Sequence, residues 1–488
     1  MIVLKEQIPH ISRIKTILVR SRVYIDASPP GTGKTYCALQ IAKDFGLDVL
    51  IVCPKTIIEN WREIAGEFGV KIVDILNYHS LRNGNKYLSC TSSVGINKEY
   101  QVTDYFCDLV DQGIMLIFDE GQSTKNLSQQ FKAASKLTGY IANLEQTSSI
   151  FTLLSGTLFS DESNPTNLVQ VLGLASGRIL TGTGRNEKAT HYFDELLDNC
   201  RKIDLILTNT VVHRSANQAP SAVAYQLMMR VIKQSLVSSM PLSEASYKKE
   251  IYNAFYDLSP EQEEKFSSSL NELIRSTQFF EGRVKKRISA SQTLRLMELA
   301  KVDLFARLAN EELNKNPNTK VIISLNYLDS IRMLTPQFRK FGLGLIQGSC
   351  ETEDRKRTID RFNEPNTKMR VLLCTSRTGS VGISLHDTDG KFPRVMLISP
   401  SHFLDYQYQC TFRICRVGTK SDTKVVFVYG VSSKRNFDLE MRIISALEIK
   451  SGVLREFSDF GDQEQMLYPG DYPCKRFSIK NNKYIEFK

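Results

Sequence analysis

Two stretches of the chain share one rhythm: short, unbroken apolar runs, separated by segments whose apolar positions recur at helical spacing. In the first stretch the runs are Val23–Ile25, Val49–Val52, Ile114–Phe118 and Phe151–Leu154. In the second they are Val321–Leu325, Val371–Cys374, Val395–Ile398 and Val425–Tyr429. Strands that are apolar on both faces and alternate with helices belong to parallel sheets covered on both sides. The pattern predicts an α/β chain with two parallel-sheet domains. Between them, residues 185–285 are more polar and read as mainly helical, for example from Pro260 to Ile274. After Gly452 the periodicity fades, and the end carries Lys475, Arg476, Lys480, Lys483 and Lys488 against a single acid, Glu486.

Between the first strand-like run and a helical pattern from Tyr36 lies Ser28-Pro29-Pro30-Gly31-Thr32-Gly33-Lys34-Thr35. A glycine-rich turn from strand to helix points backbone N–H groups inward at the positive end of a helix dipole, which suits the phosphates of ATP. Lys34 would reach the β- and γ-phosphates and the Thr35 hydroxyl would hold Mg²⁺. The full pattern has Gly where this chain has Ser28, but Gly31 and Gly33, where the backbone must approach closest, are present. A chance turn is the bland alternative, and the flanking strand and helix weigh against it.

Other segments add chemistry to the same layout. Asp119-Glu120 follow the run Ile114–Phe118. Acids at the carboxyl end of a parallel strand face the ligand crevice; there an Asp can hold Mg²⁺ through water and a Glu can polarise the attacking water. Ser155-Gly156-Thr157 follow Phe151–Leu154, and Thr375 to Leu385, with Gly379 and Gly382, follow Val371–Cys374. Either could be a plain loop; the first could instead relay the state of the γ-phosphate to a second site, and the second could let backbone approach a sugar-phosphate chain closely. Gln409, Arg413 and Arg416 are spaced four and then three apart. On one helix they would share a face, and two arginines there would repel unless an anion lay between them.

Composition narrows the classes. At 488 residues the chain suits two or three domains, and 42% hydrophobic with 24% charged residues is ordinary for a globular protein. A formal charge of +10 favours a polyanionic partner such as nucleic acid. The basic run Arg283-Val284-Lys285-Lys286-Arg287 reads as a solvated face or a phosphate contact. Ten scattered cysteines lack metal-ligand spacing, so no structural zinc is expected. There is no bilayer-length apolar run and no secretory start, so an intracellular, soluble protein without membrane contact is expected, in nucleus or cytoplasm.

Taken in order, these segments resemble the superfamily 2 helicases, and most of all the Swi/Snf-like branch of DNA-dependent ATPases and translocases. The resemblance runs from about Leu4 to Lys450. Val52-Cys53-Pro54-Lys55 with Asn60-Trp61, and Asn77-Tyr78-His79-Ser80-Leu81-Arg82, look like motifs of that branch. Asp119 to Asn126 resembles its Asp-Glu-Ala-His box with a trailing Lys-Asn, and Leu154 to Leu158 resembles motif III. Gln347-Gly348, Arg355, Ile359 and Phe362-Asn363 echo the lead-in to motif V, and Gln409 to Gly418 looks like motif VI.

The resemblance implies two RecA-like lobes with ATP in the cleft and a mainly helical insert between them. Lobe 1 would cover residues 1–184, the insert 185–288, lobe 2 289–452 and a basic tail 453–488. Gly31, Thr32, Gly33, Lys34 and Thr35 would hold ATP, with Gln7 reading adenine and Gly382 close to the nucleotide. Thr35 and Asp119 would hold Mg²⁺, and Glu120 would act as the base. Gln122, Gln409, Arg413 and Arg416 would sense the γ-phosphate. Lys55, Thr157, Ser324 and Thr375 would touch one nucleic-acid strand, with duplex DNA favoured over RNA and a monomer expected. Gly121-Gln122 replaces the usual Ala-His, and Gly418-Thr419 the common Gly-Gln, but neither removes a metal ligand, base or finger. No histone-reading appendage is evident, and so compact an enzyme suits a virus or mobile element. The rival readings are a strand-separating DNA or RNA helicase, a clamp that binds ATP without turnover, and an unrelated phosphate-loop ATPase.

Overall fold

The computed structural model describes residues 3–92, 98–159, 164–177, 179, 187–215, 217–241, 246–264, 290–365, 367–380, 382–431, 439–458, 468–480 and 483–487. The chain divides into two compact units, residues 1–243 with 453–466, and residues 244–452 with 467–488.

Among the described residues, eight strands lie in the first unit: β1 (Val23–Asp26), β2 (Asp48–Cys53), β3 (Ile72–Asn77), β4 (Leu88–Ser92), β5 (Lys98–Val102), β6 (Ile114–Asp119), β7 (Ile150–Leu154) and β8 (Val237–Ser238). Six form one sheet in the order β3-β2-β6-β7-β1-β8, all parallel. β4 and β5 form a separate antiparallel hairpin. The uninterrupted apolar runs explain the sheet: every residue of β1, β6 and β7 is buried, as strands covered on both faces require. Register then builds the site, since Asp26 of β1 and Asp119 of β6 both pair with Leu154 of β7. Three loops therefore leave the sheet side by side at its carboxyl edge: the phosphate loop, the acidic pair and Ser155-Gly156-Thr157.

The segment expected as an insert is shared between the two units. Its helices Glu187–Ile203, Leu205–Arg214 and Pro220–Leu227 bury Leu196, Val211, Val223 and Leu227 in the core of the first unit. The basic run from Arg283 to Arg287, and the expected helix beyond Glu264, lie outside the described residues.

The second unit holds β9 (Lys249–Asp257), β10 (Lys320–Leu325), β11 (Leu343–Ile346), β12 (Val371–Thr375), β13 (Arg394–Ile398), β14 (Thr423–Val431), β15 (Cys474–Lys480) and β16 (Lys483–Phe487). Their order is β11-β12-β10-β13-β14-β9-β15-β16, parallel except for the last pair. β9 comes from the expected insert and pairs with β14 from Lys249↔Thr423 to Asp257↔Val431. Along β15 and β16 the basic tail extends the sheet. Its cations meet acids of β9, with Lys475 Nζ 3.0 Å from Glu250 and Arg476 3.3 Å from Asp257. Both parallel sheets and their helical cover match the α/β architecture expected from the apolar rhythm.

Candidate nucleotide site

The phosphate loop is built as its sequence requires. Gly31 and Gly33 both take positive φ, 84° and 93°, where a side chain would be strained. The helix Lys34–Phe45 begins at Gly33 with no side-chain cap, so its first N–H groups are available to an anion. Thr32 Oγ1 donates to the Pro29 carbonyl at 2.8 Å and steadies the turn. Lys34 Nζ donates to the carbonyls of Ser28 and Pro29 at 2.8 and 3.0 Å, which parks the ammonium over the loop. Thr35 lies half-buried in the first helical turn.

A brace under this loop was not foreseen beyond Gln7. The helix Gln7–Leu18 grips the loop at two points. Gln7 Nε2 donates to the Thr32 carbonyl at 3.0 Å, and its Oε1 accepts from Leu4 N–H at 2.8 Å. A Cβ on Gly33 would meet Gln7 Nε2 at 2.2 Å, so the glycine also makes room for the brace. One turn on, His10 Nε2 lies 3.0 Å from Asp26 Oδ2, and His10 Nδ1 lies 2.8 Å from the Ser238 hydroxyl. Asp26 Oδ1 accepts the Ser28 N–H at 3.0 Å. Burial pushes the Asp26 carboxyl up, but the charge and hydrogen bond of His10, with Lys34 and Ser28, more than offset it and hold it below the usual range. Ser28, the departure from the glycine pattern, has a job of its own: its hydroxyl accepts the Met240 N–H at 2.8 Å. The signals were present in the sequence only as a His three residues after Gln7 and a Ser in a Gly position.

All three side chains of the Ser238–His10–Asp26 chain are buried. Removing one partner of a buried pair costs about 3–5 kcal/mol. His10→Ala is therefore expected to lower the melting temperature of the protein by roughly 6–15 °C in a thermal scan. An unchanged melting temperature would mean that the pair contributes nothing.

Asp119 is buried at the end of β6. Burial, and then the neighbouring Glu120 charge, push its carboxyl up to about 6, against the pull of Trp61 and Lys34. Trp61 Nε1 donates to Asp119 Oδ2 at 2.9 Å, and the Glu120 N–H donates to Oδ1 at 2.9 Å. Among the described residues Glu120 is the one non-glycine with positive φ, 56°. A strained backbone at such a position persists only where its surroundings fix it. Tyr78 does so, its hydroxyl lying 2.8 Å from the Asp119 carbonyl and 3.2 Å from that of Glu120. From Glu120 a polar chain continues. Gln122 Nε2 donates to Glu120 Oε2 at 2.7 Å, the Ser155 hydroxyl donates to Gln122 Oε1 at 2.6 Å, and Thr157 N–H donates to Ser155 Oγ at 3.1 Å. An amide both donates and accepts, so Gln122 links the acidic pair to the loop after β7 where the family pattern has a histidine. Gly156 lets that loop close on the phosphate loop, since a Cβ there would lie 2.9 Å from the Ser28 carbonyl oxygen.

In the second unit, Gln409 lies in the helix Leu404–Thr411, which ends before either arginine. The expected continuous helical face is corrected here, because the bonds that would extend it go elsewhere. Leu385 N–H donates to the Arg413 carbonyl at 2.9 Å, and Arg416 N–H donates to the Thr419 hydroxyl at 3.1 Å. The two arginines are nonetheless brought together by the segment after β12. Arg413 donates to the carbonyls of Ser380 and Ile383, and Arg416 to the Ser384 hydroxyl and the Ile383 carbonyl. Gln409 and Arg413 are buried, and Arg416 is half-buried. Gly382, on the same segment, has φ 65° and is exposed.

The expected strand contacts fare unevenly. Lys55 is exposed at the turn Lys55–Ile57. Thr375 is half-buried, with its hydroxyl 2.6 Å from that of Thr378. Thr157 and Ser324 are buried, and the Ser324 hydroxyl donates to Ser376 Oγ at 3.2 Å. Both lie at the carboxyl ends of apolar strands.

Residues 301–401 match the helicase conserved C-terminal domain. A protein of Acanthamoeba polyphaga mimivirus named as an ATP-dependent RNA helicase is 27% identical over 453 residues, covering 88% of this chain and 79% of that protein. The DNA repair and recombination protein RAD54 of Saccharomyces cerevisiae is 22% identical over 169 residues, 34% of this chain but 18% of that protein. The solved structure of S. cerevisiae Dbp5 bound to RNA and ADP BeF3 aligns with 98% of this chain and 94% of its own, at 11% identity and a TM-score of 0.45. Among the described residues, no helix is long and apolar enough to cross a membrane.

Proposed function

We propose that this chain, an ATP-hydrolysing enzyme of the superfamily 2 helicase type, couples hydrolysis to translocation along duplex DNA. The observation that carries the nucleotide half is the shared carboxyl edge of the first sheet. There an uncapped helix start, a parked lysine and a fixed acidic pair stand side by side. In this reading Gly31, Thr32, Gly33 and Lys34 bind the phosphates, and Gln7 holds the loop that binds them. The Thr35 hydroxyl and the Asp119 carboxylate are oxygen donors of the kind Mg²⁺ takes, and the bound ion would neutralise charge on the β- and γ-phosphates. Glu120 polarises the attacking water, and Gln122 keeps it oriented and relays its state to Ser155. Arg413 and Arg416, with Gln409, respond to the γ-phosphate, and Gly382 belongs to the segment that carries them.

The boundaries at 184, 288 and 452, between lobe 1, a mainly helical insert, lobe 2 and a basic tail, belong to the same reading. Lys55, Thr157, Ser324 and Thr375 are the contacts we assign to one nucleic-acid strand. A net charge of +10 supports a polyanionic track. Duplex DNA is favoured by the likeness of the motifs to the Swi/Snf-like branch. RNA unwinding is the second reading, favoured by the name of the viral relative.

Displacement of a third strand from a triplex, beside unwinding of tailed DNA and RNA duplexes, separates the two. ATP-dependent triplex displacement without unwinding is the expected result. Unwinding of an RNA duplex without triplex displacement would replace the translocase by a helicase.

A further inference from the structure

Trp61 is the one tryptophan of the chain, and it is fully buried. An indole N–H is a donor only, and a buried one needs a partner. It could have met a carbonyl. It meets the side chain of Asp119 instead, at 2.9 Å. The terminal torsion of an aspartate is soft, so a carboxylate held by its carbon chain alone has a poorly defined plane. Here both oxygens are pinned, Oδ2 by Trp61 and Oδ1 by the Glu120 N–H at 2.9 Å. A carboxylate has about four lone-pair sites, so one donor on each oxygen leaves acceptor capacity for water held by a metal. The donor sits on a rigid element, the helix Ile58–Phe68, whose Ile64, Ala65 and Phe68 are packed into the core.

We infer that the indole N–H of Trp61 is a positioning group that fixes the plane of the Asp119 carboxylate for magnesium. Because no other tryptophan is present, its emission reports the state of that carboxylate. The inference rests on the reading of Asp119 as the magnesium acid. Groups that orient metal ligands through hydrogen bonds are worth about 10- to 100-fold in metal affinity or activity.

Three measurements on the full chain test this. Tryptophan emission of the unaltered protein is followed with ADP in excess EDTA and then with ADP and Mg²⁺. Mg²⁺ is titrated against a fluorescent ADP analogue bound to the unaltered protein, Trp61→Phe and Asp119→Ala. Analogue affinity in EDTA is the check on folding. The expected result is an emission change that needs Mg²⁺, and a Mg²⁺ half-saturation in Trp61→Phe raised about 10-fold or more, with EDTA affinity unchanged. Asp119→Ala should lose the Mg²⁺ dependence altogether. If Asp119→Ala responds to Mg²⁺ normally, the metal reading itself is wrong. If Asp119→Ala fails but Trp61→Phe keeps the normal Mg²⁺ requirement, the positioning role is overturned alone. Equal weakening of Trp61→Phe with and without Mg²⁺ also overturns it, because that is the signature of lost packing.

Discussion

Glu120→Gln binds ATP as tightly as the unaltered enzyme and hydrolyses it about 10² to 10⁴ times more slowly. That is the range for removing a positioned general base. The substitution is nearly isosteric, so the backbone at φ 56° and the Tyr78 contacts that hold it need not change. What changes is charge and basicity. An amide no longer takes a proton from water, while its oxygen can still accept the Gln122 Nε2 hydrogen bond made at 2.7 Å by Glu120. Single-turnover hydrolysis with separate measurement of nucleotide affinity checks this. A variant that keeps more than about a tenth of the rate would place the base elsewhere.

The second large effect belongs to Arg416. An arginine that neutralises the transferring phosphoryl group is worth about 10³ to 10⁵ in kcat. Arg416→Ala is expected to lose activity in that range while the KM for ATP changes far less. Arg416 is the cleaner test of the pair. It is half-buried, whereas Arg413 is buried on the carbonyls of Ser380 and Ile383 and its loss would also loosen the segment it supports. Arg416→Lys keeps the charge but loses the planar fork, so it should recover little of the rate. Steady-state kinetics of the three proteins decide it. Near-normal kcat in Arg416→Ala would remove it from the chemistry.

Much of this was legible in the sequence because its signals are local. An unbroken run such as Ile114–Phe118 declares a two-faced buried strand by itself, and the glycines and lysine of the phosphate loop lie within a few residues of one another. What was missed depends on partners far along the chain. His10, Asp26 and Ser238 share no motif, being 16 and 228 residues apart as bonded pairs. β8 has two residues, too short for any periodicity. β9 breaks its apolar run at Asn253, whose Nδ2 donates to the carbonyls of Pro469 and Tyr472. β15 carries Lys475 and Arg476, which read as a solvated tail until Glu250 and Asp257 are seen opposite them. The helix before Arg413 ends early because Leu385 N–H takes the Arg413 carbonyl and the Thr419 hydroxyl, three residues on, takes the Arg416 N–H. The burial of Thr157 and Ser324 was not legible, because sequence shows their polarity and not the packing around them.

The central claim is a nucleic-acid-stimulated ATPase, and steady-state ATP hydrolysis tests it most directly. The protein is assayed without nucleic acid and with single-stranded DNA, duplex DNA or RNA, beside Lys34→Ala. Low basal turnover, strong stimulation by duplex DNA, and loss of both in the variant are the expected results. Turnover that no nucleic acid alters, or that Lys34→Ala retains, would contradict it.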